Sequence, residues 1–128
     1  MSLNPKLALV VEDDPLQRAA LSELLQASDV DVIHCESAEA GELVIIKMGP
    51  QLSLLIADVK LAGAHTGLEL AEFARSRLPH LKIIVVSGKN VVPLPSDICF
   101  VQKPWRPGDL LHLAETEKSP RPGPRPSA

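Results

Sequence analysis

Short, mostly apolar runs alternate with longer amphipathic stretches along most of this chain, and each run stops abruptly on a polar or charged residue. Residues 6–11 stop on Glu12-Asp13-Asp14, residues 52–57 on Asp58, residues 82–86 on Ser87-Gly88, and residues 98–102 on Lys103. Runs this short and this apolar suit strands buried on both faces, as in a parallel sheet covered by helices. Asp31-Val32-Ile33-His34-Cys35 is a further short strand, second in chain order.

Between the runs the apolar period changes to that of a helix. Asp14-Pro15 predicts a helix start, with a capping carboxylate and a proline at the first helical position. Ala20, Leu21, Leu24 and Leu25 then recur at helical spacing. Ser37 caps a second helix that runs to about Met48, where Gly49-Pro50 stops it. Thr66 and Glu69 have capping-box spacing ahead of Leu70, Ala71, Ala74 and Leu78, and Pro79 closes that third helix. Pro107 and Asp109 open a last helix carrying Leu110, Leu111, Leu113 and Ala114.

This alternation predicts an α/β fold: a flavodoxin-like, doubly wound, five-stranded parallel sheet of strand order 2-1-3-4-5. One departure stands out. Only residues 88–97 separate Ser87 from Ile98, and they include Pro93 and Pro95. A crossover with its helix needs at least about 10–12 residues, so the fourth crossover helix is expected to be shortened or replaced by a loop. The domain is placed at residues 6–116, between an N-terminal extension (1–5) and a proline-rich tail (117–128) expected to be disordered, with polyproline II character.

Composition narrows the function classes. Apolar residues make up 45% and aromatics only 2%, so the core must be aliphatic, and the scarcity counts against a surface that stacks bases on aromatic rings. Net charge is −3; the tail holds three bases against one acid, which leaves the rest of the chain at −5. An acidic body is a poor partner for phosphate backbones, so no direct nucleic-acid contact is expected. Cys35, Cys99 and the scattered His34, His65, His80 and His112 have no zinc-ligand spacing. The two thiols are expected reduced and unbridged. No signal peptide or membrane-spanning run is found, and a cytoplasmic protein without membrane contact is expected.

In a parallel sheet, strands one, three, four and five finish at one edge, where such sheets bind ligands. That edge would gather Glu12, Asp13, Asp58, Ser87 and Lys103. Taken singly, each has an ordinary explanation: an acidic turn, a post-strand aspartate, a serine opening a loop, a solvated lysine. Their joint occurrence, in order, each at its own strand end, favours a site. Clustered carboxylates call for a cation or for protons, and hard oxygen ligands with open positions suit Mg²⁺. A carboxylate can also attack phosphorus, while lysine, hydroxyl and metal neutralise the developing charge.

The segments Leu-Val-Val-Glu-Asp-Asp-Pro (9–15), Leu-Leu-Ile-Ala-Asp (54–58), Ile-Val-Val-Ser-Gly (84–88) and Phe-Val-Gln-Lys-Pro-Trp (100–105) make the chain resemble a response-regulator receiver domain of two-component signalling. The resemblance covers roughly residues 6–116. It implies Asp58 as phosphoacceptor, with Asp13 and Glu12 as the acidic Mg²⁺ pocket and Lys60 lending its backbone carbonyl to the metal. It further implies Ser87 as switch hydroxyl, Phe100 as switch aromatic, Lys103 as the phosphate-contacting lysine, and a cis bond before Pro104. The family's usual Met-Pro is Leu61-Ala62 here, and one extra residue precedes Gly67. These departures, with the short fourth crossover, bear on the output surface.

Three functions follow for comparison. The favoured one is a stand-alone or excised switch that takes a phosphoryl group from a histidine kinase or phosphotransfer protein and alters a protein-binding surface, with homodimerisation open. It is not a dedicated enzyme; slow loss of its own aspartyl phosphate is expected. The second is a binding module indifferent to phosphate. The third, a phosphohydrolase, lacks the second strand-end aspartate two residues beyond its nucleophile.

Overall fold

The computed structural model describes residues 6–61, 66–88 and 97–115. Five strands, β1 (Leu7–Val11), β2 (Asp31–Cys35), β3 (Leu54–Asp58), β4 (Lys82–Ser87) and β5 (Ile98–Gln102), form one sheet of order β2-β1-β3-β4-β5. Every pairing is parallel. The helices are α1 (Pro15–Gln26), α2 (Ala38–Met48), α3 (Gly67–Arg77) and α4 (Pro107–Glu115). The expectations for the fourth crossover and the tail fall largely on residues 89–96 and 116–128, outside the described residues.

Burial explains the strand order. All of β3 and β4 is buried, as the unbroken apolar runs require of strands covered on both faces. β2, with its charged and polar positions, lies at an edge and is half exposed. One run begins later than its hydrophobicity suggests. Leu52 and Ser53 precede the strand because Gly49–Gln51 form a 3-10 turn, and β3 starts at Leu54. Ser53 still ties in: its hydroxyl accepts from the Leu7 amide and donates to the Leu7 carbonyl, both at 3.1 Å.

Alternation splits the aliphatic core in two. Leu9, Val11, Leu55, Ala57, Ile83 and Val85 face α2 and α3, packing with Ile45, Leu70 and Ala74. Ala8, Val10, Leu54, Ile56, Ile84 and Val86 face α1 and α4, packing with Leu21, Leu25 and Leu110. Each large side chain so buried contributes roughly 1.5–3 kcal/mol. Cys35 and Cys99 are free. They lie on the two edge strands, four strand spacings of about 4.8 Å apart, well beyond disulfide reach.

The helix starts follow local chemistry. Asp14 Oδ1 accepts from the amides of Leu16 (2.9 Å) and Gln17 (3.3 Å), and Ser37 Oγ accepts from Ala40. The Thr66/Glu69 box is closed in both directions. Arg75 secures the far end of α3. Its guanidinium donates to the carbonyls of Leu78 and Pro79 and pairs with the Asp97 carboxylate at 2.8 Å, just ahead of β5.

Candidate functional site

β1, β3 and β5 all end at one edge of the sheet, and their last or following residues meet there. Asp58, the final residue of β3, is 8% exposed. Its Oδ2 accepts from Lys103 Nζ at 2.6 Å and its Oδ1 from the Lys60 amide at 3.0 Å. Lys103 Nζ also reaches Glu12 Oε1 at 3.3 Å, so one ammonium spans two carboxylates. Glu12, Asp13 and Asp58 each offer an oxygen within 4.8 Å of the others. Asp13 is exposed, whereas Glu12 is buried.

Backbone bonds hold the acidic loop in place. The Glu12 amide donates to the Cys35 carbonyl at 3.0 Å, and the Asp14 amide to Glu12 Oε2 at 3.1 Å. Arg18, one turn into α1, donates from Nη1 to the Glu12 carbonyl at 2.9 Å. On the other side the Lys103 amide donates to the Ser87 carbonyl at 2.7 Å, which sets the end of β5 against that of β4. The Lys103–Pro104 bond is cis. Ser87 is buried at the end of β4. Phe100 is half-buried in mid-β5, in register with Val85 two residues before Ser87. By strand alternation, Ser87 and Phe100 share the α2/α3 face.

The electrostatics follow from this packing. Burial pushes the Glu12 carboxyl up to about 7, with the nearby Asp58 charge adding to the rise; the Asp14 amide and Lys103 oppose it. Burial works against the Lys103 ammonium too. There, hydrogen bonds and charge from Asp58 and Glu12 win, and hold its pKa above the ordinary lysine range. Three carboxylates against one ammonium leave surplus negative charge on hard oxygens, a donor set that fits Mg²⁺ rather than a softer metal.

Two contributors are absent from the sequence reading. A Cβ built on Gly67 would lie 1.9 Å from the Asp58 carbonyl oxygen, so only glycine lets α3 start against the end of β3. The Gly67 amide donates to the Val59 carbonyl at 3.0 Å, closing that contact. The signal was a glycine at the first helical position, where propensity gives no reason for one. Arg18 was legible only as a polar residue of α1.

A doubly wound parallel sheet with acids, a hydroxyl and a lysine gathered at its carboxyl edge defines a receiver-type signalling module. The sequence profile of the response regulator receiver domain matches residues 8–115, and the chain belongs to that family. It is 31% identical over 121 residues to nodulation protein W of Bradyrhizobium diazoefficiens, covering 88% of this chain and 52% of that protein. It is 34% identical over 111 residues to the response regulator protein FleR of Pseudomonas aeruginosa, covering 82% of this chain and 23% of that one. The chain thus spans about half of the first relative's length and about a quarter of the second's. Among solved structures, a CheY-like receiver domain protein from Methanospirillum hungatei superposes with TM-score 0.73 at 26% identity, over 84% of this chain and 89% of that one. No helix among the described residues is long and apolar enough to cross a membrane.

Proposed function

We propose that this chain is a phosphorylatable switch whose acceptor is Asp58. The observation that carries the reading is the 2.6 Å contact of Lys103 with a buried strand-end carboxylate beside Glu12 and Asp13. An Asp58 oxygen attacks the phosphorus of a phosphohistidine on a sensor kinase or phosphotransfer protein. The P–N bond breaks, and the leaving imidazole nitrogen keeps the bonding pair and takes up a proton. Lys103 transfers its hydrogen bond from the carboxylate to a phosphoryl oxygen, and the Lys60 amide holds the other carboxylate oxygen in place. Asp13, Asp58, the Lys60 carbonyl and the Glu12 side of the pocket would hold Mg²⁺, which when bound would supply positive charge against the phosphoryl oxygens.

Ser87 then donates its hydroxyl to the phosphoryl group, and Phe100, on the same face, shifts with it. The phosphoryl charge thereby biases a two-state surface near β4 and β5. The donor docks beside the acceptor, where exposed Leu16 and Ala20 of α1 meet Pro104 and Trp105 around a groove of about 540 Å³. The exchange takes place in the cytoplasm, where a kinase draws on ATP. With acetyl phosphate and Mg²⁺, mass spectrometry of the full chain is expected to show one added phosphate, absent in Asp58→Asn. Labelling that persists in that variant refutes the assignment.

A further inference from the structure

The edge of the sheet opposite Asp58 holds a cavity of about 440 Å³ that the phosphoryl chemistry does not use. Lys6, His80 and Lys82 line it together with Ser53, and Leu54 and Ala114 contribute apolar wall. Its position follows from the strand register. Ala8 and Lys82 both pair with Leu54, and residues in register on parallel strands project to the same face. Lys82, and Lys6 two residues before Ala8, therefore emerge on the α1/α4 side, on strands that flank β3. Ala114, near the end of α4, lies over them.

This is a built basic cavity rather than a row of surface lysines. Lys82 is 6% exposed. Burial, and the neighbouring Lys6 charge after it, lower its pKa, while the Cys99 side raises it. The described residues lining the cavity include no carboxylate. Asp29 and Glu115 border an adjoining cavity that shares Lys6. The volume exceeds what an inorganic ion needs and falls in the range of small-molecule sites, about 300–1,000 Å³. The edge lies four strand rises of about 3.3 Å from Asp58, too far for a ligand here to touch the acceptor.

We propose that this cavity binds a small organic anion, a carboxylate or phosphate head group on a short aliphatic body. The head sits between Lys82, His80 and Lys6, within reach of the Ser53 hydroxyl, and the body lies along Leu54 and Ala114. The test uses the ¹⁵N-labelled full chain titrated with octanoate, and with octyl phosphate in parallel to tell the two head groups apart. Saturable shifts are expected at the amides of Ser53, Leu54, Lys82 and Ala114. Octanol and inorganic phosphate should each bind at least about tenfold more weakly, as should octanoate to Lys82→Gln. Should Lys82→Gln fail to fold, the Lys6→Gln/His80→Gln double variant, at two exposed positions, carries the same comparison. Octanol binding as tightly as octanoate overturns the proposal. So do shifts that map to the Trp105 groove instead, or an octanoate affinity unchanged in a folded lysine variant.

Discussion

Glu12 and Asp13 are neighbours in sequence with opposite environments, and the difference sets how the pocket responds to pH. Asp13 faces water, whereas Glu12 is turned into the sheet edge beneath Lys103. Burial raises the Glu12 carboxyl from 4.5 to about 7. A group whose folded-state pKa stands above its unfolded one favours the folded state when protonated. Its contribution is therefore full below about 4.5 and is lost as pH rises through about 7. In metal-free protein, stability should decline across that window, by at most about 3 kcal/mol from this residue. Thermal unfolding followed against pH checks this: Glu12→Gln should flatten the decline, and an unchanged slope would show that another group carries it. Mg²⁺ held by this cluster would compete with the proton for the same oxygens, so its affinity should tighten as pH rises through about 7.

At the scale of elements, Asp58 is positioned by the start of α3 as much as by β3 itself. Thr66 and Glu69 cap the helix reciprocally, and Gly67 brings its first turn onto the Asp58 carbonyl. Gly67→Ala places a methyl group where backbone already stands, and backbone cannot swing aside as a long side chain can. The expected cost is about 1–3 kcal/mol from overpacking, against at most about 1 kcal/mol gained in helix propensity. Urea unfolding should show this loss, and acetyl phosphate labelling of the folded variant should be slowed because the Asp58 end of β3 is displaced. A variant as stable as the parent, labelled at the same rate, would mean that the α3 start relaxes freely. The other end of α3 is held by Arg75, which binds two carbonyls of its own C-terminal turn and the Asp97 carboxylate. One side chain thereby joins the end of α3 to the residue just before β5.

For the whole molecule, the strand-end site around Lys103 adjoins an apolar patch on an otherwise acidic body. Leu16 is 81% exposed at the start of α1, next to Pro104 and Trp105. Exposed apolar surface beside a reactive group is suited to a protein donor and irrelevant to a small one. Leu16→Asp should slow labelling by a phosphohistidine donor about tenfold, the scale of one lost apolar anchor at an interface. Labelling by acetyl phosphate should fall much less. The ratio of the two rates is the readout, and equal losses would place the donor elsewhere.

The sequence by itself determined the elements whose causes are local or repetitive. Mostly apolar runs marked the buried strands, Asp14, Ser37 and Thr66 marked the helix starts, and a common strand direction put Glu12, Asp13, Asp58 and Lys103 at one edge. Only the tertiary structure decided that Glu12 is buried while Asp13 is not, that Arg18 holds the Glu12 carbonyl, that Gly67 abuts Asp58, and that Lys6, His80 and Lys82 share a cavity. Strand and cap signals lie within a few residues, where hydrogen-bond geometry and side-chain alternation repeat. Close approach between residues far apart in the chain depends on register and helix seating to within an ångström or two, and no local pattern encodes that.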